Sequence, residues 1–158
     1  MQELQLPGYA FKVRTASRGE QIFDAVRKKY VALTPEEWVR QHFLNFLVEH
    51  RGCPVSLIKV ERGLKLNGMV MRTDIVIHDR NGRAIAVVEC KAPEVRIDQK
   101  TFDQIFRYDR VLKVEFLLLT NGLEHYCCRV DHEKNELETL NEIPRYEEML
   151  RNINPING

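Results

Sequence analysis

The period of the apolar positions changes along the chain, and those changes mark out the elements. After a polar arm, Gly19 to Tyr30 reads as a helix, and a second helix opens at Thr34-Pro35-Glu36-Glu37. There Thr34 can cap the free amides, Pro35 suits the first turn and Glu37 closes a capping box. Val39, Phe43, Phe46, Leu47 and His50 recur at helical spacing until Gly52 and Pro54 stop the run. From Val55 the period falls to two: Val55–Glu61, Met69–His78 and Ala84–Lys91 are β-rich runs separated by glycine-containing turns, the last through Asp79-Arg80-Asn81-Gly82. Pro93 breaks the third strand, and Asp98–Leu112 then carries Phe102, Ile105, Phe106, Asp109 and Leu112 in helical register. Glu115–Thr120 is an apolar strand, Asn121-Gly122 a tight turn, Leu123–Val130 a returning strand, and Glu136–Leu140 an added edge before a short helix near Glu147. The predicted order is ααβββαββ followed by that helix, an α/β class.

Composition narrows the picture. A chain of 158 residues predicts one domain spanning 1–158, with its core over residues 19–150 and a flexible, frayed end from Asn152 to Gly158. Hydrophobic and charged fractions of 44% and 30% are those of a globular protein, and the apolar runs, such as Phe116 to Leu119, are far too short to cross a bilayer. Met1 to Pro7 lacks the pattern of a signal peptide and no lipidation signal is present, so a cytoplasmic location is expected. Cys53, Cys90, Cys127 and Cys128 have neither zinc spacing nor a disulfide-forming address and read as reduced structural thiols. A net charge of +1 gives no global attraction to nucleic acid. Lys12, Arg14, Arg18, Arg27, Lys28 and Lys29 make the N-terminal stretch locally basic, and they read as a solvated helix face with its arm sooner than as a phosphate track.

The chemistry gathers on the second and third predicted strands. In Met69–His78 the odd positions face one way, leaving Asp74 opposite them with Arg72 and Val76. In Ala84–Lys91 the two-residue period puts Ile85, Val87, Glu89 and Lys91 on one face, so an acid and a base project from an otherwise apolar strand. Carboxylates on paired strands raise each other's proton affinity unless a cation lies between them, and a hard divalent ion with oxygen ligands, magnesium or manganese, meets that need. If they share an ion, the two carboxyls should approach within about 6 Å. Lys91 would then orient or deprotonate an attacking water, and the backbone carbonyl of Cys90 is a candidate further ligand. Gln104 and Tyr108, four residues apart on the following helix, are candidates to steady a phosphate or the lysine. Taken singly, each of these residues reads as an ordinary surface group. Taken together they read as a site. The five histidines lack any metal or nucleophile spacing.

Asp74, then Glu89-Cys90-Lys91, then Gln104-Ile105-Phe106-Arg107-Tyr108, then Thr120-Asn121-Gly122 resemble the nuclease domain at the N-terminus of type I restriction enzyme R subunits, in the PD-(D/E)xK superfamily. The likeness runs from Thr34 to Tyr126 and includes Pro35-Glu36-Glu37-Trp38-Val39-Arg40-Gln41 in the opening helix. It implies a restriction-endonuclease-like mixed central sheet flanked by helices and magnesium-dependent cleavage of DNA. It also implies metal binding by Asp74 and Glu89, catalysis by Lys91, a QxxxY element formed by Gln104 and Tyr108, and a helix acid such as Glu37 as an added ligand. The capping box alone also accounts for Glu37. Thr73 stands where the superfamily name has proline, a substitution that removes no ligand. No GxxxxGK[ST] loop occurs in these residues, so the ATP-driven motor of a full R subunit is not among them. The expected partners are DNA and, beyond it, other restriction–modification subunits or a second copy of the chain. The competing readings are a nuclease-fold module that binds DNA or protein without turnover, and a structural subunit of a larger complex.

Overall fold

Alternating burial builds two sheets, described in a computed structural model over residues 1–66, 69–106 and 113–153. The first is antiparallel and three-stranded: β1 (Val13–Ala16), β2 (Gly19–Asp24) and β3 (Lys29–Ala32). Here the expected helix over Gly19–Tyr30 is replaced by a hairpin. Ile22, Val26 and Tyr30 fall at four-residue intervals and imitate a helical stripe, yet the turn chemistry decides otherwise. Asp24 Oδ1 accepts the amides of Val26 and Arg27, each at 2.8 Å, which closes the chain on itself, and Lys28 completes the reversal at φ 55°.

Next comes α1 (Pro35–Arg51), where Thr34 accepts the Glu37 amide at 3.0 Å and Gly52 ends the helix at φ 71°. Its inward stripe, Val39, Phe43, Leu44 and Leu47, is fully or almost fully buried. The run from Val55 opens with a 3-10 turn at Val55–Leu57, because the Leu57 amide bonds back to Pro54; the strand begins only at Ile58.

The second sheet has the order β4 (Ile58–Leu66), β5 (Met69–His78), β6 (Ala84–Cys90), β7 (Phe116–Thr120), β8 (His125–Asp131) and β9 (Glu136–Leu140). All neighbours are antiparallel except β6 and β7, which run parallel. The connection between that parallel pair contains α2 (Gln99–Ile105), capped by Asp98 and Thr101. The expected continuation of this helix through Tyr108 and Asp109 to Leu112 lies outside the described residues, as does the chain end beyond Ile153. A last helix, α3 (Tyr146–Arg151), follows β9.

Two cores sandwich the six-stranded sheet. α1 and α3 cover one face, with Phe43, Leu47, Tyr146 and Met149 packed on Ile75, Ile77 and Val88. On the other, Ile97, Phe102 and Phe106 pack on Val76, Val87, Leu117 and Leu119. Ile85 departs from its expected face and joins the α1 side with Ala86, because the β5–β6 register shifts at Ile77/His78 and breaks the strict alternation. No described helix is long and apolar enough to cross a membrane.

The β7–β8 turn is built by Asn121, whose Oδ1 accepts the Leu123 and Glu124 amides at 2.9 and 2.8 Å, and by Gly122 at φ 86°. A Cβ on Gly122 would stand 2.8 Å from Leu4 Cδ2 and 3.1 Å from Val39 Cγ2. Gly122→Ala therefore combines left-handed strain with a clash and is expected to cost about 1–3 kcal/mol in urea unfolding. An unchanged midpoint would show that the turn is not constrained in this way.

Candidate functional site

The β5–β6 ladder stops at the rung Ile75↔Val88. The next rung would set Asp74 against Glu89, on the face that carries Val76 and Val87, but there the strands no longer pair and the side chains take over. Cys90 donates its amide to Asp74 Oδ2 at 2.8 Å in place of a backbone carbonyl. The other Asp74 oxygen, Oδ1, accepts Arg40 Nη2 at 2.9 Å, so α1 is tied to the end of the ladder. Lys91 follows the strand end, held by its amide to Thr120 O at 2.8 Å, and its Nζ lies 3.6 Å from Glu89 Oε1.

The two acids interact. Burial and then the Asp74 charge push the Glu89 carboxyl up to about 7, with Lys91 opposing them, and Asp74 is near enough to share a hydrogen bond with the protonated form. Glu36 adds to the same effect. Burial works against the Arg40 charge, but Glu37 and Asp74 outweigh it and raise its proton affinity.

Behind the site runs a chain of ion pairs. Arg40 Nη1 meets Glu37 Oε1 at 2.8 Å, Arg27 Nη2 meets both Glu37 oxygens at 3.0 and 3.1 Å, and Arg27 Nε meets Asp24 Oδ2 at 2.6 Å. Gln41 Nε2 donates to both Asp24 and Glu37. The Glu37 carboxylate is thus engaged by two arginines and an amide and does not close the expected capping box; these partners outcompete the Thr34 amide, and Glu37 joins the cap only through its own amide, accepted by Thr34. Glu36 is the helix acid whose charge reaches Glu89, and its Oε1 lies 2.7 Å from Arg40 Nη2.

Arg40 and Glu36 were absent from the residues singled out by sequence. A signal existed for Arg40: it falls in the buried stripe of α1, four residues before Leu44, where an arginine needs partners. Gln104, on α2, is exposed and its side chain makes none of the side-chain hydrogen bonds found among the described residues, while Tyr108 lies outside them. The four cysteines are buried free thiols; burial pushes Cys53 and Cys127 up to about 12 and Cys90 and Cys128 upward as well, which keeps all four un-ionised.

No group of three or more His, Cys, Asp or Glu side chains placed to hold a metal occurs among the described residues. Two carboxylates with a backbone carbonyl still suit a magnesium-type ion, which commonly keeps several waters and takes few protein ligands. A groove of about 490 Å³ borders the site and is lined by Arg27, Lys29, Tyr30, Glu36 and Arg40. A larger cleft of about 570 Å³ holds Arg83, Glu115 and Arg129 at the far ends of β6 and β7, away from the two acids.

A mixed sheet with helices on both faces and two acids at the splayed end of adjacent strands defines a restriction-endonuclease-like fold. The chain belongs to the family described as the type I restriction enzyme R protein N-terminus (HSDR_N), whose model matches residues 35–144. A solved fragment structure assigned to an HsdR subunit of a type I restriction enzyme from Vibrio vulnificus YJ016 shares the fold, with a TM-score of 0.52 at 21% identity. That likeness covers 77% of this chain and 25% of the other, so the chain spans about a quarter of the solved one. Comparison with curated proteins gave no match.

The Glu89 shift has a consequence for stability. Folded protein holds this proton up to about pH 7 and the unfolded chain only to about 4.5, so the folded state binds more protons in that window and loses stability as pH rises through it. Glu89→Gln, which does not titrate, should gain on the wild type by up to about 3 kcal/mol between pH 5 and pH 8 in chelator. Parallel urea-midpoint profiles for the two proteins would contradict the coupling.

Proposed function

We propose that Asp74, Glu89 and Lys91 form a divalent-metal-dependent centre for hydrolysis of DNA phosphodiester bonds, acting as the nuclease part of a type I restriction R subunit. One observation carries the reading: two carboxyls meet where β5 and β6 stop pairing, with a lysine ammonium 3.6 Å from one of them. Asp74, Glu89 and the Cys90 carbonyl would hold magnesium or manganese. Such an ion, when bound, lowers the pKa of water and offsets charge on phosphate oxygens.

The chain's own residues do the rest. Arg40 and the Cys90 amide fix the Asp74 carboxylate so that it presents a set orientation to the groove. Lys91 orients the attacking water, which releases a proton to solvent as its oxygen bonds to phosphorus, and donates to the phosphate oxygen that gains charge; the phosphorus bond to the sugar oxygen breaks and that oxygen collects a proton from solvent. Gln104 and Tyr108 are proposed to steady the scissile phosphate. Glu37 remains a proposed outer ligand, although its ties to Arg27, Arg40 and Gln41 suit it better to holding Arg40. A cytoplasmic address, a single-domain organisation, and partnership with other restriction–modification subunits or a second copy belong to the same reading.

A second reading, a module that binds without turnover, is favoured by one feature. Both Asp74 oxygens are already engaged by protein donors, and Arg40 supplies part of the positive charge that a metal would bring.

Lys91→Ala should retain magnesium affinity by calorimetry while plasmid nicking falls by about two orders of magnitude or more. Asp74→Asn should weaken magnesium binding itself, because an anionic ligand is lost. A wild type that binds no divalent ion, with both variants behaving like it, would replace the hydrolytic reading with the binding one.

A further inference from the structure

Residues 13–32 precede the segment that matches the family, yet β3 walls the groove beside the acids. In this small sheet Ile22 and Asp24 turn inward and are fully buried. By alternation the other face carries Lys12, Arg14, Gln21, Phe23 and Tyr30. Phe23 and Tyr30 are cross-strand partners, half-buried, with ring centroids 5.2 Å apart at 61°. Lys12 Nζ stands 5.6 Å from the Phe23 centroid and the Arg14 guanidinium 3.8 Å from that of Tyr30; both cations are exposed. Gln21 accepts Arg14 Nε at 2.8 Å, which holds the guanidinium over the ring. Tyr30 also lines the groove with Lys29, Glu36 and Arg40, so this face runs on toward Asp74.

Each surface cation–π contact contributes only about 0.5–1 kcal/mol and requires no ligand. Their grouping goes further. Two aromatic rings and two cations on one open face offer stacking planes and phosphate contacts together, the combination that binds unpaired nucleic acid. A duplex keeps its base faces stacked and could use the cations alone. We propose that the outward face of β1–β3 binds single-stranded DNA and leads it to the groove at Asp74 and Glu89. Bases would stack on Phe23 and on the Arg14–Tyr30 pair, with phosphates on Lys12 and Arg14. The ties from Asp24 through Arg27, Glu37 and Arg40 to Asp74 hold this face in register with the site. The destination of the strand rests on the nuclease reading; binding by the face does not.

The test is fluorescence anisotropy of the full chain with a labelled oligothymidylate in chelator, alone and annealed to its complement. The Lys12→Gln/Arg14→Gln double variant should bind the single strand about tenfold or more weakly, with a shallower salt slope by about one unit. Tyr30→Leu should weaken binding about tenfold with the slope unchanged. The duplex should bind about tenfold more weakly than the single strand. Circular dichroism checks the fold, and if Tyr30→Leu fails it, Arg14→Gln alone carries the comparison. Variants within about twofold of wild type, or a duplex bound as tightly, would overturn the proposal. With metal chelated, cleavage plays no part. Binding through this face without cleavage of either plasmid or the single-stranded oligonucleotide in magnesium removes only the hydrolytic reading, and cleavage with unaffected binding by the variants removes only this one.

Discussion

Asp74 is held between two donors that arrive from separate parts of the chain, the Arg40 guanidinium of α1 and the Cys90 amide at the end of β6. Arg40 is 5% exposed in its side chain, and a charge so placed is tolerable only with partners. Removing one member of such a buried pair typically costs about 3–5 kcal/mol, because the survivor is left uncompensated. The contact therefore fixes α1 against the sheet where β5 and β6 part, and every other feature of the site takes its position from that junction. Glu89 is placed by the rung that would follow Ile75↔Val88, and Lys91 by its amide to Thr120 on the parallel neighbour β7.

The charge pattern around the junction is arranged in two tiers. Inward, Asp24, Arg27, Glu37 and Gln41 bond to one another and Glu37 bonds to Arg40, and the Asp24 carboxyl sits below its usual range because Arg27 and Gln41 outweigh its burial. Outward, at the mouth, Glu36 and Asp74 meet Arg40, and Glu89 meets Lys91. The inner tier is a structural network, whereas in the outer tier burial, and then the charges of Asp74 and Glu36, raise Glu89. A divalent cation, with a phosphate bringing further charge to Lys91, would complete the outer tier.

Much of this was legible in the sequence because local rules agreed with the fold. The helix cap at Thr34, the β-rich runs of β5, β6 and β7, and the Asn121-Gly122 turn all obey short-range chemistry, whereas the Glu37 half of the expected capping box gave way to Arg27, Arg40 and Gln41. Asp74 and Glu89 were readable as acids on the same face of adjacent apolar strands. The N-terminal sheet was not readable, since Ile22, Val26 and Tyr30 mimic helical spacing and the Asp24 side chain, accepting the amides two and three residues on, decides for a turn. The face of Ile85 was hidden by a register shift that no residue type announces. Arg40 lies 34 residues from Asp74, and only the packed fold reveals which carboxylates it serves.

The most direct test of the central claim is anomalous diffraction from crystals of the chain grown with manganese. The account predicts a peak at about 2.1 Å from a carboxyl oxygen of both Asp74 and Glu89, lost in Glu89→Gln crystals grown alike. No peak at that junction, at a manganese concentration that supports plasmid nicking, would contradict it.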